Sequence, residues 1–296
     1  MAFTGSALQR ETLTMILAGG QGERLHPLTG MRTKPSVPFG GKYRIIDFAL
    51  SNCLNSGLRK IYVLTQYKSD SLNQHLYEAW NIFNPELGEF IYSIKKKKKT
   101  GNEWYQGTAD AVRQSVHHMK RHDFDYVLIL SGDQLYQMDF NYMIEEHIKK
   151  KADISIATLP VHANDATEFG ILKTDENGYI KTFVEKPPKD KLEGLVSEVS
   201  DNMKRSGRFY LASMGIYIFN RDLLFKLLED TNNVDFGKHI IPGAIQNLSV
   251  VSYPYEGYWT DIGNIQSFFE ANLGLTDDIP QFDLYNVSKK IYTHAR

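Results

Sequence analysis

Residues 13–38 read LTMILAGGQGERLHPLTGMRTKPSVP, and the fold turns on how this stretch is read. A short apolar run, Leu13 to Leu17, breaks into Gly19, Gly20 and Gly22; Arg24 follows, then a Pro-Leu-Thr turn and Lys34-Pro35. An apolar run of this length ending in glycines is a buried strand feeding a loop. Glycines there let backbone N–H groups approach an anion closely, because no Cβ intervenes and positive φ carries no steric cost. Arg24 and Lys34 add fixed positive charge, so a phosphate chain is the natural occupant. Two rival motifs fail on the letters. A dinucleotide fingerprint needs a third Gly where Leu25 stands, and no G-x-x-x-x-G-K-[ST] string occurs. The glycines alone also suit an ordinary tight strand exit.

The longer strings decide. Leu17-Ala-Gly-Gly-Gln-Gly-Glu-Arg-Leu with Thr33-Lys-Pro resembles the nucleotide-binding signature of the sugar-1-phosphate nucleotidyltransferases. Pro38-Phe-Gly-Gly-Lys-Tyr-Arg-Ile-Ile-Asp-Phe-Ala-Leu-Ser-Asn-Cys narrows the resemblance to the glucose-1-phosphate adenylyltransferases.

Outward from this stretch, apolar strand-like runs alternate with amphipathic helical ones, which argues for an α/β fold with a largely parallel sheet flanked by helices. Ile45 to Asn55 reads as a helix closed by Gly57, Lys60 to Thr65 as a strand, and Ser69 to Trp80 as a helix opened by a Ser or Asp cap. Gly107 to Arg121 is helical, Tyr126 to Ser131 a buried strand, Met143 to Lys150 a helix and Ile154 to Pro160 a strand. The rhythm then changes. Asp175-Glu-Asn-Gly between Ile171-Leu-Lys-Thr and Tyr179 to Glu185 signals a hairpin. Residues 187–208 are polar and aperiodic and read as a surface loop, followed by a strand from Ser213 to Asn220. Asp222 to Glu229 is a helix, Ser249 to Pro254 a strand and Asn264 to Leu273 a closing helix. The expectation is a Rossmann-like nucleotidyltransferase domain over 1–275. Residues 276–296 are expected to be a linker toward the β-helix domain that follows in the resembling family.

Bulk properties narrow the partners. The net charge of −1 supplies no global field for nucleic acid or anionic membrane. A single cysteine, Cys53, excludes an intrachain disulfide and fits a reducing compartment. No apolar run reaches the roughly 18 residues of a membrane span, and the N-terminus lacks a secretory pattern. The sequence reads as cytoplasmic.

The resemblance implies chemistry residue by residue. It places Leu17, Ala18, Gly19, Gly20 and Gly22 on the nucleotide, with Tyr105, Gly107 and Thr108 from Glu103-Trp-Tyr-Gln-Gly-Thr-Ala-Asp. Arg24 would hold the β/γ-phosphates of ATP, Lys34 would lie by the triphosphate, and Asp133 of Ser-Gly-Asp would pair with Asp261 of Tyr-Trp-Thr-Asp to hold Mg²⁺. Lys186 and Glu185 of Phe-Val-Glu-Lys-Pro would bind the phosphate and hydroxyls of glucose 1-phosphate. Phe169-Gly170, Ser213, Tyr217 and Asp235-Phe-Gly-Lys238 match further sugar positions, and Trp259 could cover a sugar face or pack in the core. The implied reaction is AMP transfer from ATP to glucose 1-phosphate, for glycogen or starch synthesis, in a homotetramer with a small-molecule allosteric effector. Thr65 to Lys68 and Trp104 look like the loops that couple effector to catalysis. Met31 stands near where some bacterial relatives carry an activator lysine, with Arg32 beside it, and the Lys95–Lys99 run reads as a solvated face. Use of UTP, GTP or dTTP and a non-catalytic regulatory subunit are the alternatives; the intact set Arg24, Lys34, Asp133, Lys186 and Asp261 weighs against the second.

Overall fold

Alternation decides which residues of strand β1 (Thr12–Leu17) face which layer. Leu13 and Met15 enter one apolar cluster and Ile16 another, and all three are fully buried because helices cover both faces. The computed structural model describes residues 11–95 and 105–294. After β1 the chain makes a short ribbon, β2 (Pro38–Phe39) against β3 (Tyr43–Arg44). It then supplies β4 (Lys60–Thr65), β5 (Phe90–Lys95) and β6 (Tyr126–Ser131). β5, β4, β1 and β6 lie side by side, all parallel. The helices Ile45–Asn55, Asp70–Trp80 and Phe140–Lys149 cover one face with Leu50, Leu72 and Met143. The helices Thr108–Met119 and Arg221–Glu229 cover the other with Val112 and Leu224.

The second half extends the same sheet, chiefly by antiparallel pairing, and adds a separate two-stranded ribbon. It contributes β7 (Gln134–Tyr136), β8 (Ile154–Val161), β9 (Gly170–Thr174) and β10 (Ile180–Glu185). β11 (Tyr210–Asn220), β12 (Val250–Pro254) and β13 (Trp259–Asp261) follow. β9 and β10 form the expected hairpin, with Asp175 Oδ1 accepting from the amides of Asn177 and Tyr179. β11 organises this half. Its later residues, Tyr217 to Asn220, pair with β6, while Leu211 and Ala212 pair with β9. Between them the register shifts, with Gly215 at φ +69. One strand therefore serves two neighbours in turn, and a crevice opens where β6 ends and β9 begins. That crevice lies beyond the carboxyl end of β6, the usual ligand position in an open α/β sheet.

Some segments carry structure beyond the sequence reading. The expected surface loop 187–208 buries Leu192, Leu195 and Met203 and contains a helical turn, Asp201–Arg205, capped by Ser200. Leu195 and Met203 sit on separate short turns, Glu193–Leu195 and Asp201–Arg205, and no long element joins them. Residues 276–294 pack back on the domain. Phe282 and Ile291 are buried beside Phe39 and Phe48, and the Tyr292 amide donates to Ser51 Oγ at 2.8 Å. The ribbon of β7 and β13 has strands too short to announce themselves in sequence. Of the lysine run only Lys95 falls in the described part, 3.6 Å from Asp70; Lys96–Lys99 and Trp104 lie outside the described residues.

Candidate active site

The β7–β13 ribbon assembles the charged centre. Pairing sets Asp261 opposite Gln134, and the Ile262 amide donates to the Asp133 carbonyl at 3.2 Å, so two carboxylates far apart in sequence become neighbours. Lys34 lies between them, its Nζ 2.6 Å from Asp133 Oδ2 and 3.5 Å from Asp261 Oδ1. The lysine is held by a short helical turn, Lys34–Ser36. Thr33 Oγ1 donates to the Ala18 carbonyl at 3.2 Å and Arg44 donates to the Ser36 carbonyl at 2.9 Å, which fixes the turn against the end of β1. Gly22 is required here twice over. It sits at φ +67, and a Cβ would lie 2.9 Å from Thr29 and 3.2 Å from Lys34.

The charges do not balance. Burial pushes the Asp133 carboxyl up, but the charge and hydrogen bond of Lys34, with the Ser131 hydroxyl, hold it below the ordinary carboxylate range. Burial and the neighbouring Asp133 raise Asp261, and Lys34 and Arg24 offset this only in part. Burial would lower Lys34, yet the two carboxylates carry it above the usual lysine value. One ammonium thus serves two carboxylates, and the excess negative charge suits a divalent cation. Gly263 keeps the position open, since a Cβ there would lie 2.7 Å from Asp261 Oδ2. Among the described residues no group of three or more His, Cys, Asp or Glu gathers, so a cation here would complete its shell with water and phosphate oxygens.

From this centre a cleft of about 630 Å³ runs along the crevice, lined by Arg24, Asp133, Gly170, Glu185, Lys186, Ser213, Tyr217 and Asp261. Glu185 stands between two glycines. A Cβ on Gly170 would lie 2.8 Å from Glu185 Oε2 and 2.5 Å from Phe183, and one on Gly237 would lie 3.0 Å from Glu185 Oε2. Burial and the nearby Asp235 raise the Glu185 carboxyl, while Lys186 and Lys238 act the other way. Lys186 has φ +48, a conformation that costs a non-glycine residue energy and is held by its amide bonding the Phe169 carbonyl at 3.0 Å. The Tyr217 hydroxyl is raised by burial, and its ring packs on Phe236 at 5.6 Å. Trp259 meets Phe169 edge to face at 5.4 Å and donates to Gln134 Oε1 at 3.3 Å, so it is a wall of the cleft.

The nucleotide-side candidates line a separate part of the same sheet edge. Gly19 lies beneath Gln66 and Tyr105, where a Cβ would stand 3.4 and 3.6 Å from them, and the Tyr105 amide donates to Gln66 Oε1 at 2.8 Å. Gly20 faces open space, and the Leu17 carbonyl accepts from the Gly132 amide. Burial, with Asp110, pushes the Tyr105 hydroxyl up to about 12, which keeps it a neutral donor. The helix at Thr108 is used differently from a free anion-binding terminus. The amides of Ala109 and Asp110 both donate to the Val234 carbonyl at 3.0 Å, and a Cβ on Gly107 would overlap that oxygen. Thr108 Oγ1 donates to Asp235 at 3.1 Å and accepts from the Phe236 amide at 3.0 Å. Thr108 therefore ties this wall to the turn beside Glu185.

A family model described as nucleotidyl transferase matches residues 13–278. The chain belongs to the nucleotidyl transferase family. It is 48% identical to glucose-1-phosphate adenylyltransferase 2 of Vibrio parahaemolyticus, over 96% of this chain and 72% of the relative. A glucose-1-phosphate adenylyltransferase of Hydrogenovibrio crunogenus is 45% identical, over 97% of this chain and 68% of its own length. One from Yersinia pseudotuberculosis is 42% identical, over 97% and 69%.

Sequence reasoning missed several residues of this nucleotidyl transferase cleft. Gln134 is buried and bridges Trp259 to the Met214 carbonyl, to which it donates at 2.7 Å, so it pins the β7–β13 ribbon to the shifted part of β11. Gly237 and Gly263 make room for carboxylates. Gln134 lies directly after Asp133 and Gly237 within the Asp235–Lys238 string, so both carried a sequence signal. In the regions matched to effector loops, Lys68 Nζ donates to the Gly30 carbonyl, and Met31 is 86% exposed. Among the described residues no helix is long and apolar enough to cross a membrane.

Proposed function

We propose that this chain transfers AMP from ATP to glucose 1-phosphate, releasing pyrophosphate and forming ADP-glucose for glycogen or starch synthesis. The observation that carries the reading is Lys34 bridging Asp133 and Asp261 at the head of a cleft whose other wall holds Glu185, Lys186 and Tyr217. A phosphate oxygen of glucose 1-phosphate attacks the α-phosphorus of ATP, and the bond to the bridging oxygen of pyrophosphate breaks. Alignment and charge neutralisation supply most of the acceleration in such a transfer. Arg24 and Lys34 neutralise the triphosphate and the departing pyrophosphate. Asp133 and Asp261 would hold Mg²⁺, which neutralises developing phosphate charge when bound. Lys186 pairs with the acceptor phosphate, and Glu185, Ser213, Tyr217 and Asp235 bond sugar hydroxyls. Leu17, Ala18, Gly19, Gly20, Gly22, Tyr105, Gly107 and Thr108 form the nucleotide wall.

The names of the relatives support ATP and glucose 1-phosphate as the substrate pair, and the resemblance of the Pro38–Cys53 string supports the adenylyl branch. In this reading 1–275 is the catalytic unit of a cytoplasmic homotetramer that responds to a small-molecule effector, and 276–296 connects it to a β-helix domain. The test is pyrophosphate release with glucose 1-phosphate and Mg²⁺, comparing ATP, UTP, GTP and dTTP. A strong ATP preference is expected. Preference for another nucleotide would move the chain to a different branch, and silence with all four while ATP still binds would favour a regulatory subunit.

A further inference from the structure

The segment 187–208 ends in Arg208. Arg208 lines the cleft together with Lys186, His162, Asp165 and Glu168. Its backbone is fixed. Gly207 turns the chain at φ +74, the Arg208 amide donates to the Met203 carbonyl at 3.0 Å, and Met203 is buried. One residue on, the Phe209 carbonyl accepts from the Ser197 amide at 3.0 Å, and Ser197 Oγ donates to Leu172 of β9 at 3.2 Å. The His162 ring meets the Gly207 carbonyl at 3.2 Å. The arginine thus stands on a built wall.

The residue is partly buried, and among the described residues its side chain makes neither a hydrogen bond nor an ion pair. Arg113 and Arg221, by contrast, are engaged: Arg113 donates to the carbonyls of Leu228 at 2.7 Å and Asp230 at 2.8 Å, and Arg221 to that of Phe124 at 3.0 Å. The planar fork of donors on Arg208 is therefore free to bond a ligand that enters the cleft. Position says which ligand. Arg208 precedes β11 and shares one cleft with Lys186, Glu185, Ser213 and Tyr217, the residues assigned to the acceptor. A sugar phosphate held by Lys186 and Glu185 would occupy the cleft that Arg208 lines.

We propose that Arg208 is a specificity-determining residue for the acceptor, its guanidinium donating to vicinal hydroxyls of the hexose ring. The proposal rests on the reading of the cleft as a hexose 1-phosphate site. A wall built to bond sugar hydroxyls discriminates against a sugar that presents them differently.

The experiment compares the parent with Arg208→Gln and Arg208→Lys, each assayed with glucose 1-phosphate and its epimer galactose 1-phosphate. In Arg208→Gln the KM for glucose 1-phosphate rises about tenfold, the loss of one to two hydrogen bonds to a charged donor. The KM for ATP stays within about twofold, and the preference for glucose over galactose 1-phosphate, measured as kcat/KM, falls about tenfold. Arg208→Lys falls between, because lysine keeps the charge and loses the planar fork. Equal rises in both KM values, or an unchanged KM with unchanged sugar preference, would overturn the proposal. A parent inactive with ATP and every sugar phosphate would instead overturn the underlying reading.

Discussion

Asp47 and the pair Asp133–Asp261 place carboxylates in two different settings within one sheet-and-helix layer. The Asp47 side chain is fully buried and saturated. Its Oδ1 accepts from His75 Nε2 at 2.5 Å and Trp80 Nε1 at 2.9 Å; its Oδ2 accepts from the Arg44 amide at 2.8 Å and Thr293 Oγ1 at 2.7 Å. Asp133 and Asp261 keep side-chain exposures of 25% and 29% in the cleft and share Lys34. The first carboxylate is completed by the protein and joins the helix Ile45–Asn55, the helix Asp70–Trp80 and the segment 276–294. The second pair is left incomplete, which is what a site for a cation and phosphates requires. Saturation, more than burial, separates the structural carboxylate from the functional ones.

The comparison can be broken first at Asp133. Asp133→Ala is expected to lower kcat about a thousandfold, the scale seen when an electrostatic partner of the reacting group is removed. Far-ultraviolet circular dichroism should be unchanged. Near-normal turnover would remove Asp133 from the centre. Asp47→Ala is expected to do the reverse. Four donors lose their acceptor, so stability falls by about 3 kcal/mol or more in a denaturant titration. Below its transition the variant should keep kcat and both KM values within about twofold. Loss of activity in the still-folded variant would show that Asp47 belongs to catalysis.

The smallest effect sharpens the contrast within the pair. The Asp133 carboxyl lies below its unfolded value, so its stabilisation is present above that value and lost as pH falls through the folded one. The Asp261 carboxyl lies above its unfolded value, so it favours folding only at acid pH and becomes a cost as pH rises through the folded value. At pH 7, Asp133→Asn should therefore lower stability and Asp261→Asn raise it, each by up to about 1 kcal/mol given the partial exposure. Both differences should fade as pH drops below about 4. The same sign for both variants in thermal melts across this range would show that Lys34 does not divide its charge unequally.

Much of the fold was legible because local pattern suffices where burial is uniform. Ile45–Asn55, Lys60–Thr65 and Tyr126–Ser131 have the bounds expected from periodicity and caps. β5 escaped notice because only Phe90 of its residues is buried, which leaves no two-residue alternation to read. The segment 187–208 escaped because its buried residues, Leu192, Leu195 and Met203, are carried by short separate turns set in a polar stretch. Gly107 was readable as a helix-start glycine. That its helix terminus is occupied by the Val234 carbonyl depends on a contact far along the chain.

By itself the sequence determined the strand–glycine loop at Leu13–Gly22, the order of elements and the residue types able to handle phosphate, since these follow from hydrophobic period, backbone freedom and charge. Only the tertiary structure decided that Asp133 and Asp261 share one lysine, that Glu185 fits between Gly170 and Gly237, and that Arg208 reaches the cleft. Each of these depends on strand register and on a β11 that changes partners midway. Those are long-range pairings, chosen by how whole faces pack and recorded in no single stretch of the chain.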